Sequence, residues 1–281
     1  MELKEMHEMR INDMEQQQSL YSMYDSKHIP TLYFGRGNAK LSKRTIHFGL
    51  PTGYTCTKYA KECLTFSDRS TGKITDSKTC EFRCWSASQE AYSPQLRAQR
   101  WSNYEALKGL SYDDMVYVIS WNLMNEASRY YNDHEQMPII RINVSGEFFS
   151  NEYFLAWTEV ANKLKDYVEF FYAYTKAIPL WLKYQDLVPT NLKLRASYGG
   201  KFDHLIEEHN LPYAKVLFDE TTELEIDHDD TKSRDPDNYH AVGLLLHGVQ
   251  PKQSDASKAV QKLKSKGFSG YGSNRKQGDK R

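Results

Sequence analysis

The four cysteines of this 281-residue chain all fall between positions 56 and 84. Cys56, Cys63, Cys80 and Cys84 follow the pattern Cys-x6-Cys-x16-Cys-x3-Cys. Thiolates bind zinc and iron–sulfur clusters, whereas free buried cysteines behave as small hydrophobic residues. The N-terminal stretch MELKEMHEMRINDMEQQQ is polar, which predicts no secretory signal and a reducing, cytoplasmic location where disulfides are rare. The crowding of thiols therefore favours a metal or cluster site over a disulfide pair.

The spacing of the cysteines favours an iron–sulfur cluster over zinc. Structural zinc sites use tight Cys-x2–4-Cys pairs, and only Cys80 and Cys84 have that spacing. Iron–sulfur clusters accept thiolates at more varied spacings. Zinc, and four thiols that bind nothing, stay open as alternatives.

From residue 138 onward, short β-branched and aromatic runs alternate with helical patterns. This alternation predicts an α/β fold with a parallel sheet covered by helices. The spacing leaves an open sheet and a partial (β/α) barrel as alternatives. The predicted strands are RTIHFGL, PIIRINV, VEFFYAY, LKLRA, AKVLF and VGLLLH, and the predicted helices include 94–109, 111–126 and the one that begins after Ser150.

Ligands of parallel α/β folds bind at the carboxyl ends of the strands, where polar and small residues follow each predicted strand here. Glu147 and Lys176 are candidates for catalysis because both carry a charge at this edge. Loops are polar in general, so any one of these residues is as well explained by solvation. The candidates for binding a cofactor are Ser145, Gly146, Glu147, Tyr174 and Ser197, with Thr175, Gly199, Gly200, Asp219, His247 and Gln250 at the same predicted edge.

The overall charge points to no particular partner, because Lys+Arg and Asp+Glu both number 37. The sequence predicts a flexible arm at 1–30, one α/β domain at 31–264 and a basic, disordered tail at 265–281. Such a tail contacts nucleic acid weakly through phosphates. No run is long and apolar enough for a membrane span. The acidic loop 219–237 carries Asp227, Asp229 and Asp230, which is either a solvated loop or a divalent-metal site.

Several motifs along the chain resemble a known family. IHFGLPTGYTC, KECLTFSDRSTGKI, FRCWSASQEA, INVSGEFFSNEYFLAW, ASYGGKFDHLIEEHNL and LLLHGVQP, across roughly residues 38–258, resemble the tailed-phage family called gene product 88. The layout also resembles the radical S-adenosylmethionine superfamily, in which a cluster loop follows the first strand of a partial barrel. Position 87 is alanine, so the superfamily's Cys-x3-Cys-x2-Cys motif is absent.

These resemblances imply roles for particular residues. Cys56, Cys63 and Cys84 lie in family-like motifs and would bind the cluster, whereas Cys80 lies outside them and would be a fourth ligand or a spare thiol. SGEFF would lie near S-adenosylmethionine. The expected function is that of a phage-encoded iron–sulfur protein, in radical or redox chemistry, electron transfer or sensing, with a small molecule or a host redox protein as partner. The alternative is a zinc-stabilised protein that handles nucleic acid.

Overall fold

The computed structural model describes residues 29–38 and 40–268. The predicted arm at 1–30 and the basic tail at 265–281 therefore lie almost wholly outside the described residues. Among the described residues, no helix combines the length and the apolar character that crossing a bilayer requires.

Eight strands of the described residues form one sheet in the order β1-β2-β5-β6-β7-β8-β10-β9, and β3 pairs with β4 in a separate hairpin. Strand β1 runs antiparallel to β2, and every other neighbouring pair in the large sheet is parallel. The strands are β1 (Phe34–Arg36), β2 (Thr45–Gly49), β3 (Thr65–Ser67), β4 (Ile74–Asp76), β5 (Ile139–Ser145), β6 (Phe170–Thr175), β7 (Leu192–Ser197), β8 (Tyr213–Leu217), β9 (Glu225–Ile226) and β10 (Ala241–Leu245).

The helices begin where the sequence places capping residues. Ser150 accepts a hydrogen bond from the backbone N–H of Tyr153, and Ser93 and Ser111 cap two earlier helices in the same way. The helix predicted at 111–126 continues to His134. The helices are α1 (Trp85–Tyr92), α2 (Pro94–Leu107), α3 (Tyr112–His134), α4 (Asn151–Lys163), α5 (Ile178–Lys183), α6 (His204–Glu208) and α7 (Asp255–Ser265), with a 3₁₀ turn at Gln185–Leu187.

The parallel strands from β2 to β8 follow one another in sequence order, as they do in a (β/α) barrel. The predicted α/β class with a mostly parallel sheet is confirmed. Barrel closure is not seen, because β1 and β9 each have a single neighbour and form the two edges of the described sheet. The sheet is open, and a barrel of the radical S-adenosylmethionine type is not established by this topology.

The two faces of the sheet differ in chemistry because side chains alternate along each strand. On β5, Ile140 and Ile142 join the main hydrophobic core, which includes side chains of α3 and α4. Arg141 and Asn143 therefore point to the opposite face, where both are buried. Strands β6 and β7 repeat the pattern, with Phe171, Ala173, Leu192 and Leu194 in the core and Tyr172, Tyr174 and Arg195 on the polar face.

A candidate thiol-lined binding cavity

A cavity of about 210 Å³ opens at the carboxyl edge of the parallel strands. Its wall comes from the loop after β2, the start of α1, the ends of β5, β6 and β7, and strands β8 and β10. All five residues predicted to bind a cofactor lie on this wall, as does the charged candidate Lys176. The predicted residues found there are Ser145, Gly146, Glu147, Tyr174, Lys176, Ser197 and His247.

Three of the four cysteines line the cavity: Cys56, Cys63 and Cys84. We call these three residues the thiol end. Cys80 does not line it, and its Sγ lies 3.0 Å from the carbonyl oxygen of Phe82 and 3.5 Å from Oγ1 of Thr65. All four are free thiols, so no disulfide divides them. Cys80 therefore lies off the cavity wall but next to the thiol end, because Oγ1 of Thr65 also accepts a hydrogen bond of 3.2 Å from the backbone N–H of Cys84 and Cys63 helps to raise the pKa of Cys80.

The thiols of the thiol end are stabilised in their neutral form. Burial and, to a lesser extent, the nearby Cys63 raise the pKa of Cys84 to about 12, although backbone N–H groups of Ser86 and Ala87 at the start of α1 oppose the rise. Burial also raises the pKa of Cys56 well above its ordinary value, with Glu147 and Cys84 adding to the rise. The raised pKa values of Cys56 and Cys84 keep these two thiols protonated at pH 7.

The ammonium group of Lys176 acts electrostatically on the thiol end. Burial raises the pKa of Cys63, and the Lys176 ammonium group partly offsets that rise. The ammonium group donates hydrogen bonds to the carbonyl oxygen of Ser197 at 3.0 Å, to Oγ of Ser197 at 2.7 Å and to the carbonyl oxygen of Tyr198 at 2.5 Å. Lys176 is therefore held in place by the end of β7, beside the thiols.

The cysteine loop, residues 50–64, depends on a glycine turn. Gly53 has φ of +80°, and a Cβ there would lie 2.5 Å from the carbonyl oxygen of Thr65. The carbonyl oxygen of Gly53 accepts a hydrogen bond of 3.0 Å from the backbone N–H of Cys56. Only glycine allows the loop to approach β3 closely enough to turn Cys56 into the cavity.

The Gly199–Gly200 pair, predicted at the cavity edge, holds the far end of the same loop. The carbonyl oxygen of Gly199 accepts hydrogen bonds of 3.0 Å from the backbone N–H groups of both Lys61 and Glu62. Asp203 accepts hydrogen bonds from the N–H groups of both glycines at 2.8 and 2.9 Å, which fixes their loop. The pair thus positions the segment just before Cys63.

A buried ion pair holds the start of the cysteine loop through a hydrogen bond to the loop backbone. Arg100 Nη1 lies 2.9 Å from Oε1 of Glu90, whose side chain is fully buried. The same oxygen accepts a hydrogen bond of 3.0 Å from the backbone N–H of Thr52. Oγ1 of Thr52 lies 2.9 Å from Oγ of Ser145, so α1, α2, the loop and β5 are connected at one point.

Glu147, a candidate for catalysis, is held by three hydrogen bonds. Oε1 accepts from the backbone N–H of Phe148 at 2.9 Å and from Oγ1 of Thr175 at 2.8 Å, and Oε2 accepts from the backbone N–H of Lys176 at 2.7 Å. Burial raises the pKa of Glu147 despite these donors. Its carboxyl group ties the end of β5 to the end of β6 and also lines the cavity.

Lys40 and Arg141 line another part of the cavity, and both pair with Asp230, which lies next to the wall without lining it. We call these three residues the ionic end. Asp230 forms ion pairs with Arg141 and, at 2.5 Å, with Lys40 Nζ. The hydroxyls of Tyr174 and Tyr172 donate to it at 3.0 and 3.3 Å. Burial acts to raise the pKa of Asp230, but Arg141 and Lys40 outweigh it and hold the pKa well below its usual range.

The acidic loop does not present its carboxylates to a divalent metal. Asp230 is committed to its two cations, and Asp227 accepts hydrogen bonds from the backbone N–H groups of Asp229 and Ser233 at 3.2 and 2.7 Å. Across the described residues, no group of three or more histidine, cysteine, aspartate or glutamate side chains is arranged to ligate one metal ion.

An aromatic and apolar wall completes the cavity. The rings of Trp85 and His247 stack with their centroids 5.8 Å apart. Gln250 fixes the segment before α1, because its side chain accepts from the backbone N–H of Arg83 at 2.8 Å and donates to the carbonyl oxygen of Arg83 at 3.1 Å. The apolar residues of this wall are Phe82, Val216, Leu244, Leu245, Leu246 and Phe268.

Comparison with known families gives one assignment. The model of the family described as gene product 88 matches residues 32–263. The chain belongs to the phage gene product 88 family. The matched region includes the four cysteines and every cavity residue except Phe268. The chain matches no curated protein and no solved structure, so no comparison supports the radical S-adenosylmethionine resemblance.

The sequence reading missed several residues of the cavity in this gene product 88 protein, chiefly Lys40, Arg141 and Asn143. A signal for two of them was present in the alternation Ile-Arg-Ile-Asn at 140–143. A strand with polar residues at every second position, inside a sheet whose other face carries helices, has a polar and buried second face. Lys40 lies in a loop and has no such signal.

Proposed function

We propose that this gene product 88 protein holds an iron–sulfur cluster at the thiol end, with Cys56, Cys63 and Cys84 as its protein ligands. The observation that carries the proposal is that these three thiols line one cavity, whereas Cys80 does not line it. Such a cluster, when bound, supplies one-electron transfer and, at an iron without a protein ligand, a position for a small molecule.

The arrangement favours a cluster over zinc. Zinc needs its ligands within about 2.0–2.3 Å of a single centre. The described residues contain no group of three or more potential ligands placed around one metal ion, so the preference for a cluster rests on the spacing of the cysteines, of which only Cys80 and Cys84 form a tight pair. Each iron of a cluster takes its own thiolate, so cluster ligands are spread more widely than the ligands of one ion.

The electrostatics of the thiol end fit a cationic group. The three sulfurs have raised pKa values and only Lys176 as a nearby compensating charge. A metal centre supplies the positive charge that deprotonates coordinating thiols. The N–H groups of Ser86 and Ala87 at the start of α1 would then stabilise the thiolate of Cys84.

We extend the proposal to a radical S-adenosylmethionine-like arrangement, in which the polar residues beside the thiols bind that cofactor. Ser145, Gly146 and Glu147 end β5, and Tyr174 and Ser197 lie at the ends of the next two strands. All five line the same cavity as the thiols. The sequential order of the parallel strands supports this layout.

The test begins with anaerobic purification of the full chain, followed by iron, sulfide and zinc analysis and an absorption spectrum. We expect about four irons and four sulfides per chain, the content of a [4Fe-4S] cluster. Stoichiometric zinc without sulfide would contradict the cluster and support the zinc-stabilised alternative.

A second measurement separates radical chemistry from the other roles. S-Adenosylmethionine is added to the dithionite-reduced, fully loaded protein, and the spectrum and the release of 5′-deoxyadenosine are followed. We expect a spectral change and slow release of this product. A loaded cluster that responds to neither criterion rejects the radical role and leaves electron transfer, sensing or structural support.

A further inference from the structure

Asn143 has an unusual backbone conformation at the centre of the sheet. Its φ is +53°, in the left-handed region that residues other than glycine seldom adopt. It lies where the pairing of β2 with β5 shifts register, so the strand bulges at this point. Backbone strain of this kind persists where the surrounding structure enforces it, and it is concentrated at functional sites.

The side chain of Asn143 has one satisfied end and one unsatisfied end. The hydroxyl of Tyr153 donates to Oδ1 at 2.9 Å, which fixes the orientation of the amide. Among the described residues, Nδ2 has no hydrogen-bond partner although its atom is buried. Asn143 is only 6% exposed and lines the cavity. An unpaired buried amide group destabilises the folded protein unless something binds it.

The charges around this part of the cavity already balance. Lys40 and Arg141 both pair with Asp230, and Asp227 adds a carboxylate to the wall. The other cations of the wall are also engaged, because Arg83 pairs with Asp76 and the Lys176 ammonium group donates three hydrogen bonds to the end of β7. Burial and the nearby Lys40 lower the pKa of His247 to about 4, so this imidazole is neutral at pH 7. A bound anion would have no unmatched cation here and would lose its hydration.

From this geometry we propose that Asn143 binds a neutral carbonyl or amide oxygen of a small-molecule ligand, by donating a hydrogen bond from Nδ2. The proposal goes beyond the cluster, since it concerns a donor on β5 rather than the thiols. A cavity of about 210 Å³ suits a small molecule or one terminal group of a larger one. The apolar residues of β8 and β10 would contact the rest of the ligand.

Acetamide and acetate test the proposal because they have the same shape and differ in charge. Saturation-transfer NMR titrations are made at pH 7 with the full chain as purified. We expect acetamide to bind saturably with a Kd on the order of 1 mM, the range open to a ligand of four non-hydrogen atoms. Acetate is expected to bind at least about tenfold more weakly, the loss that 1.4 kcal/mol produces.

Variants of Asn143 locate the binding. Asn143→Asp replaces the donor with an acceptor at almost constant shape, and Asn143→Gly removes the amide while tolerating the positive φ. Both should weaken acetamide binding at least about tenfold, and Asn125→Asp, the same change at an exposed position of α3, should leave it unaltered. Circular dichroism checks that each variant folds. If Asn143→Asp does not fold, Asn143→Gly provides the test.

Equal binding of acetamide and acetate, no saturable acetamide binding, or unaltered binding by folded Asn143 variants would each overturn the proposal. These outcomes are independent of the cluster proposal, because metal content is measured separately on the same samples. If the protein contains iron and sulfide but does not bind acetamide, only the Asn143 proposal is contradicted. If the protein contains no cluster but binds acetamide through Asn143, only the cluster proposal is contradicted.

Discussion

The two ends of the cavity respond differently to the same burial. At the thiol end, burial raises the pKa of Cys56 and Cys84 and the surroundings offset little of the rise. At the ionic end, burial also acts to raise the pKa of Asp230, yet two cations reverse the outcome. At the ionic end both cations are paired with Asp230, whereas at the thiol end Lys176 only partly offsets the raised pKa of Cys63.

This difference indicates which end of the cavity can change its protonation or ligation state. A buried acid with a paired cation is a fixed part of the structure, and removing one partner is costly. A group of buried thiols without a counter-charge is stable only as neutral thiols or with a bound cation. The thiol end is thus the part of the cavity whose state depends on what binds there.

The largest expected effect is on iron content. Cys84→Ser should remove most of the iron, because the proposal gives one iron to each thiol of the thiol end. Cys80→Ser makes the same chemical change outside the cavity and should keep most of it. Asp230→Asn, at the ionic end, should also retain iron. Iron and sulfide are measured per folded chain, and equal losses for Cys80 and Cys84 would make Cys80 a fourth ligand.

The next effect is on stability at the ionic end. Arg141→Met leaves the fully buried Asp230 with only Lys40 as a cation. We expect a loss of about 3–5 kcal/mol in the free energy of unfolding, measured by denaturant titration. The control is Arg129→Met, which breaks an exposed pair with Glu126 and should cost about 0–1 kcal/mol. Similar losses in the two variants would show that the ionic end contributes no more than a surface pair.

A smaller effect is expected in the pH dependence of the free energy of unfolding of the metal-free protein. An unfolded cysteine has a pKa near about 8.5, and the folded value for Cys84 is about 12. A raised folded pKa favours the protonated form, so this contribution to stability is complete below about pH 8.5 and is lost as pH rises towards 12. Denaturation at pH 8.5 and 10 should show a decrease of at most about 2 kcal/mol from this group.

Two comparisons sharpen this pH prediction. Cys84→Ser should have a flatter alkaline profile than the metal-free parent, and a slope equal to that of the parent would exclude Cys84 as its source. The contribution of Asp230 to the pH dependence of stability has the opposite sign. Its lowered pKa gives stability that is present above about pH 3.9 and lost as pH falls. Asp230→Asn should therefore flatten the acid side of the profile and leave the alkaline side unaltered.

The smallest effect concerns the contact between β5 and the cysteine loop. Gly146 has φ of +82°, and a Cβ there would lie 2.7 Å from Cβ of Leu50 and 2.7 Å from Oγ1 of Thr55. Gly109 has φ of +83° with nothing within 4 Å, so its alanine variant reports backbone strain alone. Gly146→Ala should destabilise the protein by about 1 kcal/mol more than Gly109→Ala. Equal unfolding free energies would mean that the loop moves aside freely.

Local patterns predicted much of the fold. The alternation of strands and helices after residue 138, and the cap at Ser150, agree with β5 and α4 as observed. The segment 34–36, which is not among the predicted strands, is the antiparallel edge strand β1. A three-residue strand has too little pattern of its own, and its pairing with β2 decides its conformation.

The candidate site was predicted in part. Residues that end successive strands meet at one edge wherever the strands are parallel, so Ser145, Tyr174 and Ser197 could be grouped from the sequence. Lys40 and Asp230 could not be grouped, because they come from loops far apart in the chain and meet only through the fold. The separation of Cys80 from the cavity likewise depends on the β3–β4 hairpin, which the sequence did not reveal.

The sequence by itself determined the α/β class, the family resemblance and the confinement of all thiols to one segment, because these depend on residue types and short-range periodicity. The tertiary structure alone decided the strand order, the shared cavity around three of the cysteines, the pairing of Arg141 with Asp230 and the left-handed conformation of Asn143. Each of these depends on contacts between distant parts of the chain. Such contacts form only when burial of the common core brings those parts together.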